Sequence, residues 1–318
     1  MIVYYLVFLS GLWPGYRIRH PRLERIAYAI LVCSGNAMIA LYGLKITAAR
    51  ECRQALPMDL LSAILIALLA AGGSVLAALA FVRAVHGVAG PSRPESTDTS
   101  ITEASIPSRW RSWRATGISL ALFCLGGIIG WRLPPLPVDA FIRVLLLIMI
   151  TAVGLQSGQA LRAFRQHREP QTSSGRSERI IFFGLPIFIM AGTLIFSSGA
   201  GLFLNYRWSE CMLCAAPMGW QTLGGPLIQE LRGPQLGNLA FLTNMFRDIV
   251  ALLLIPLISR GRHAWLGVTP GGVSTMDVLL PGILAASGSR SLFQAVWVGG
   301  SCSLWAPFLI HLIARVFP

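Results

Sequence analysis

Apolar runs of roughly 18 to 27 residues recur from one end of the chain to the other, each long enough to cross a hydrocarbon core about 30 Å thick. Lipid offers no partner to a bare N–H or C=O, so such runs must become helices or close into a barrel. The alternating ten-residue strands of a membrane barrel are absent. The expected fold class is therefore an all-α polytopic membrane protein. Composition agrees, since 12% of the residues are charged where a soluble domain carries about 25%.

Eight spans are predicted, at residues 1–15, 26–48, 59–85, 115–131, 138–160, 180–205, 235–259 and 290–316. The first is short and reaches Pro14-Gly15. It has no basic leader and no small-residue cleavage site, so it is expected to be a retained span rather than a signal peptide. Arginines set the orientation. Odd-numbered connections carry, among others, Arg17, Arg25, Arg109, Arg114, Arg165, Arg179 and Arg260, and even-numbered ones with the C-terminal end Arg50, Arg132, Arg207, Arg232 and Arg315 among others, for a total of 17 against 6. Positive charge is retained on the cytoplasmic side, so both termini are expected in the periplasm of a bacterial inner-membrane protein. The net charge of +13 is then a topological signal, and no nucleic-acid partner is expected.

One membrane domain is expected overall: N-terminal spans over 1–86, a cytoplasmic linker over 87–113, and further spans over 114–318. The linker is rich in Ser, Thr, Pro and Glu and holds no core. Six cysteines lie in or beside apolar runs and are read as packing residues. Cys211 and Cys214 form one C-x-x-C without a second pair or a His cluster, so neither metal nor cofactor is expected. No phosphate-binding glycine loop or nucleophile–base arrangement is evident, and the chain is not read as an enzyme.

Two stretches fit neither span nor loop. Residues 211–230 are apolar but interrupted by Pro217, Gly219, Gly224, Gly225 and Pro226, and residues 264–285 by Pro270, Gly271, Gly272, Pro281 and Gly282. Such re-entrant or broken segments survive at membrane depth only where protein or water satisfies their backbone, and paired ones point to a transporter's binding site. Span two also ends Gly43-Leu44-Lys45, and span five Gly154-Leu155-Gln156, an echo consistent with an inverted repeat.

Sorting the acidic residues leaves two carboxylates well inside apolar sequence, Asp248 in span seven and Asp277 in the second broken segment. Intramembrane carboxylates cost at least about 2.5–3.5 kcal/mol each and are functional candidates. Gly271, Gly272, Ser274 and Thr275 precede Asp277 and would expose carbonyls and hydroxyls. Two carboxylates facing one cavity would bind a cation or exchange protons. Arg247 either binds a substrate carboxylate or holds Asp248 ionised. Direct pairing of the two is disfavoured, because adjacent helical residues point about 100° apart. Lys45, the single lysine beside 25 arginines, either snorkels to the outer face or modulates the site as an internal cation.

The stretch GWQTLGGPLIQELRGPQLGNLAFLTNMFRDIVALLLIPLI (219–258) and GGVSTMDVLLP (271–281) resemble the LysO (YbjE) family of bacterial lysine exporters. The resemblance implies secondary active export of L-lysine and toxic lysine analogues, driven by inward proton or cation movement. It also implies an inverted-repeat fold of the cation/proton-antiporter type. The family's essential membrane acids fall on Asp248 and Asp277, and a family glutamate on Glu230. Where the family has Asn-Asp before its Arg-acid pair, this chain has Thr243-Asn244. The Trp-Tyr-Ser motif reads Trp220-Gln221-Thr222, and Lys45 replaces a small polar residue. The implied partners are L-lysine or a related cationic amino acid, protons or sodium, membrane lipid and, in a homo-oligomer, further copies of the chain. A monovalent cation/proton antiporter uses the same acids without an organic substrate. A channel or non-transporting membrane subunit is the reading from a different class.

Overall fold

A computed structural model of the chain describes residues 2–17, 21–48, 50–89, 109–132, 137–166, 176–259, 264–288 and 291–317. The α-helices are α1 (Ile2–Arg17), α2 (Pro21–Ala48), α3 (Arg50–Ala89), α4 (Arg109–Arg132), α5 (Asp139–Gln166), α6 (Arg176–Ser198), α7 (Trp208–Ala215), α8 (Gln221–Arg232), α9 (Pro234–Ile258), α10 (Leu280–Ser287) and α11 (Ser291–Val316). Single 3₁₀ turns occupy Gly199–Leu202, Ala264–Val268 and Gly272–Met276. No strand occurs among the described residues.

Each of the eight apolar runs falls largely on a helix, namely α1 to α6, α9 and α11, although the sixth, 180–205, outlasts α6 and ends beyond the 3₁₀ turn that follows it. Four stretches are long and apolar enough to cross a membrane by length and composition: Leu56–Val85, Ser177–Leu202, Pro234–Ile258 and Ser291–Val316. Shorter apolar helices cover Leu120–Arg132 and Ala140–Ala152. The first helix continues through Pro14 to Arg17 instead of stopping at Pro14-Gly15. Most of the expected linker, residues 90–108, lies outside the described residues. Both interrupted segments are broken helices. The first separates α7 from α8, and the second runs through two 3₁₀ turns into α10.

The chain folds as two compact units, each drawn from three stretches: Met1–Leu61, Gly117–Pro170 and Gln221–Phe241, and Ser62–Thr116, Gln171–Trp220 and Leu242–Pro318. In both units glycine sets the helix contacts. Within the first, Gly11 and Gly15 of α1 lie against the backbone of Thr151 and Leu155 on α5, while Gly154 and Gly158 of α5 lie against Phe8 and Leu12 on α1. Gly43 of α2 meets the Phe123 carbonyl of α4, and Gly126 and Gly130 of α4 meet the carbonyls of Ala40 and Leu44. Three of these sets are spaced four residues apart, the small-xxx-small pattern that lets helix backbones touch where apolar burial gives no drive for association. The echoed glycines Gly43 and Gly154 thus have the same task on two different helices.

Within the second unit, Gly73 of α3 and Gly192 of α6 abut in the same way, and Gly184 of α6 lies under Phe81, which stacks on Phe188 at 4.0 Å. Trp297 of α11 packs against Phe182 and Phe183 of α6, with centroids 5.8 and 5.4 Å away. The outer face of α6 shows Ile180, Phe183, Ile187 and Ile195 to the surroundings, the last 66% exposed. A contiguous apolar face of this kind suits lipid and not water.

Because any side chain at Gly130 would press on the Leu44 carbonyl and Thr47 Oγ1, Gly130→Val is expected to cost about 1–3 kcal/mol of stability. A lowered thermal midpoint in detergent checks this. Gly35→Ala on α2, where the added carbon meets nothing within 4 Å, is the control and should leave the midpoint unchanged or slightly raised.

Candidate functional site

Asn244, Arg247 and Asp248 occupy one side of α9, at the three- and four-residue spacing that aligns side chains on a helix. They are almost fully buried, at 0%, 0% and 4% exposure. Polar groups so deep must find partners, and those partners come from the two broken segments.

Beyond α7, Met218 and Gly219 adopt successive left-handed backbone conformations, with φ of 54° and 97°, and so turn the chain. Asn244 holds this turn from both sides. Its Oδ1 accepts from the Gly219 N–H at 2.8 Å, and its Nδ2 donates to the Cys214 carbonyl at 2.9 Å. The second break is satisfied likewise. The Thr269 carbonyl accepts from Ser74 Oγ at 3.0 Å, and the Pro270 carbonyl from Arg247 Nε at 3.0 Å. The Thr275 hydroxyl lies 2.8 Å from the Gly272 carbonyl and 2.9 Å from the Ala295 carbonyl of α11. Where the breaks meet, Val273 N–H donates to the Met218 carbonyl at 2.9 Å and Ser274 Oγ to the Gly219 carbonyl at 3.2 Å.

This junction faces Arg247 and Asp248. Arg247 also donates through Nη2 to Thr193 Oγ1 of α6 at 3.1 Å. A point one bond from the Gly219 Cα lies 2.9 Å from Ser274 Oγ, 3.0 Å from the Gly271 carbonyl oxygen and 3.1 Å from Asp248 Oδ1, so three acceptors converge on Gly219. The corresponding point on Gly272, whose φ is 58°, lies 2.5 Å from the Met218 carbonyl and 3.3 Å from Arg247 Nη2. Asp277 follows the second 3₁₀ turn and accepts the N–H of Val278. Trp220, 7% exposed, lies between α7 and α8 and closes that stretch of the second unit.

The second unit thus brings together Asn244, Arg247, Asp248, Gly271, Gly272, Ser274 and Thr275 from the expected site, with Asp277 beside them. Lys45, Thr222 and Glu230 belong to the first unit. There Lys45 Nζ donates to Gln229 Oε1 at 2.6 Å and stands 5.9 Å from the Tyr42 ring centroid. Tyr42 stacks on Phe241 at 4.5 Å. Thr222 Oγ1 contacts the Met149 sulfur at 3.0 Å, and Glu230 lies 3.5 Å from Arg143 Nε. Cys211 and Cys214 are buried free thiols on α7. Among the described residues no three His, Cys, Asp or Glu side chains gather as a metal site.

Sequence reasoning missed Met218, Thr193, Ser74 and Gln229. Met218 offered no signal, since a methionine carries no mark of a left-handed backbone. Thr193 and Ser74 look like any helical hydroxyl that back-bonds to its own turn. Gly219 was legible only as a helix breaker, though it is the residue on which the acceptors converge.

The family model described as "Lysine exporter LysO" matches residues 120–314. The chain is 31% identical over 125 residues to the "Lysine exporter LysO" of Escherichia coli K12, covering 39% of this chain and 41% of that protein. It is 27% identical over 112 residues to a "Putative lysine exporter" of Haemophilus influenzae Rd, covering 35% of this chain and 56% of that protein. The matches therefore span less than two thirds of either relative. No solved structure matches the chain.

Gly219→Ala would force a side chain into a left-handed position and among three oxygens. It is expected to lose about 1–3 kcal/mol and, with it, ligand-induced stabilisation. Thermal unfolding checks this against Gly300→Ala on α11, where the added carbon meets nothing within 4 Å.

Proposed function

We propose, since the chain belongs to the lysine exporter LysO family, that it is a multi-pass inner-membrane secondary exporter of L-lysine and its toxic analogues. Export would be coupled to inward movement of protons or sodium. The observation that carries this reading is the meeting of two broken helices at a buried carboxylate, Asp248, with the half-buried Asp277 following the second break and the freed backbone groups held by neighbouring side chains. Interrupted helices of this kind put backbone carbonyls, hydroxyls and carboxylates where a substrate or ion must be bound and released.

In this mechanism Asp248 and Asp277 bind either the cationic substrate or the coupling ion, one displacing the other. Such displacement links outward movement of lysine to inward movement of a proton or cation. Alternating access would shift the site from one side of the membrane to the other. The transporter has eight spans with both termini periplasmic, a reading supported by the fall of each apolar run on a helix and by the arginine distribution. The matching roles of Gly43 and Gly154 support an inverted repeat. The organisation is one membrane domain, with spans over 1–86 and 114–318 joined by a cytoplasmic linker over 87–113. Lys45, bonded to Gln229, modulates transport from the first unit, where Thr222 and Glu230 also belong to the transport path.

One observation favours a second reading. Asp248 and Asp277 lie in one unit, and carboxylates also suit a small inorganic cation, so a monovalent cation/proton antiporter would use the same residues.

Counterflow of labelled lysine in proteoliposomes separates the two. The wild type should exchange lysine with lysine, and sodium alone should not replace it. Asp277→Asn should reduce exchange to background while its thermal midpoint stays within a few degrees of the wild type. Undiminished exchange by that variant would remove Asp277 from the mechanism.

A further inference from the structure

At the junction of the broken helices two charged side chains keep an atom without a partner among the described residues, Asp248 Oδ1, an acceptor, and Arg247 Nη1, a donor; Thr269 Oγ1 in the second break is a third such atom. Both charged side chains are more than nine-tenths buried. Burying either atom unmet costs about 1–3 kcal/mol, more for a charged group. A native site keeps such atoms where a ligand meets them.

Their placement is specific. Arg247 is fixed by the Pro270 carbonyl through Nε and by Thr193 Oγ1 through Nη2, which leaves Nη1 as its spare donor. Asp248 Oδ1 faces Gly219 together with Ser274 Oγ and the Gly271 carbonyl. Arg247 lies one residue further along the second break, with Nη2 against Gly272. An unmet acceptor and an unmet cationic donor therefore sit on successive residues of α9.

A proton or a metal ion on Asp248 would satisfy the acceptor and leave Nη1 unmet. A ligand carrying an ammonium and a carboxylate on one carbon satisfies both. We infer that this junction reads the zwitterionic head of an α-amino acid, with the α-ammonium on Asp248 Oδ1 and the α-carboxylate on Arg247 Nη1. The inference rests on the amino-acid export reading and deepens it. The ε-ammonium of lysine is then read outside this junction, and any α-amino acid head binds here.

Ligand analogues on the intact wild-type protein test this without disturbing its fold. L-Norleucine keeps the head and lacks the ε-ammonium; cadaverine lacks the carboxylate; 6-aminohexanoate lacks the α-ammonium. Each is titrated against counterflow of labelled L-lysine, and by thermal shift in detergent, with sodium chloride as a further ligand. L-Norleucine should compete and stabilise, whereas cadaverine and 6-aminohexanoate should bind about ten-fold or more weakly than L-lysine, the loss expected for one charge-assisted contact. Arg247→Lys should narrow the preference for L-lysine over cadaverine, a ratio that a smaller folded fraction does not move.

Cadaverine matching L-lysine, L-norleucine failing to bind, or sodium chloride alone giving the full stabilisation would each overturn the head-group site. Lysine counterflow blocked equally by cadaverine would leave the exporter reading standing and remove this one. Binding of L-norleucine without any movement of lysine would do the reverse.

Discussion

Every other feature of the site depends on one constraint, that a backbone group opened inside an apolar surrounding must be given a partner. Two helices of this chain are interrupted, and each interruption frees carbonyls and N–H groups that would otherwise close helical turns. Side chains from elsewhere in the second unit take them up. Asn244 holds the Cys214 carbonyl and the Gly219 N–H, Ser74 the Thr269 carbonyl and Arg247 the Pro270 carbonyl. The remaining groups pair across the junction, Val273 with the Met218 carbonyl. Polar residues that would be costly in a continuous apolar helix are therefore structural requirements here. Having been recruited to close the backbone, they also leave charge and spare valence at one place.

The same medium governs how the helices pack. Where lipid is as apolar as a leucine side chain, contact is gained through close backbone approach and dispersion, not through escape from water. Glycines at the interfaces of α1 with α5, α2 with α4 and α3 with α6 supply that approach. Large apolar residues such as Ile187 and Ile195 are left facing outward. The helices within each unit are thus held by fixed contacts, and in the second unit α3 and α6 stand beside the two breaks through Ser74 and Thr193. A site built from irregular backbone needs such neighbours, because its own local hydrogen bonds are few.

Much of this was readable in the sequence, and the reasons differ by feature. Runs of apolar residues announce helices because lipid permits little else, and each run falls on one. Proline and glycine announced both breaks, since neither sustains helical hydrogen bonding or entropy as other residues do. Asp248 emerged by elimination, carboxylates being too costly to bury without cause. What stayed hidden is non-local. Nothing in a serine at position 74 or a threonine at 193 tells which distant carbonyl or guanidinium it will meet. The division of α-helices between two interleaved units is likewise a property of three-dimensional contact. Lys45 was ambiguous for a related reason, as its partner Gln229 lies 184 positions away.

The adjacency of Arg247 and Asp248 ties the constraint to the chemistry. A lone buried charge costs several kcal/mol even after relaxation, and here opposite charges sit on successive residues of α9, so each offsets part of the other's cost. Successive residues diverge by about 100° around a helix, which keeps them from consuming one another as a simple ion pair. Arg247 turns to the Pro270 carbonyl and Thr193, and Asp248 to Gly219 and Ser274. Charge compensation without mutual saturation leaves a donor and an acceptor in reserve at little cost in net charge. A zwitterionic head brings a group for each of the two, whereas a bare cation meets Asp248 and leaves Arg247 Nη1 unmet. Unmet groups of both signs therefore favour a ligand that brings its own counter-charge.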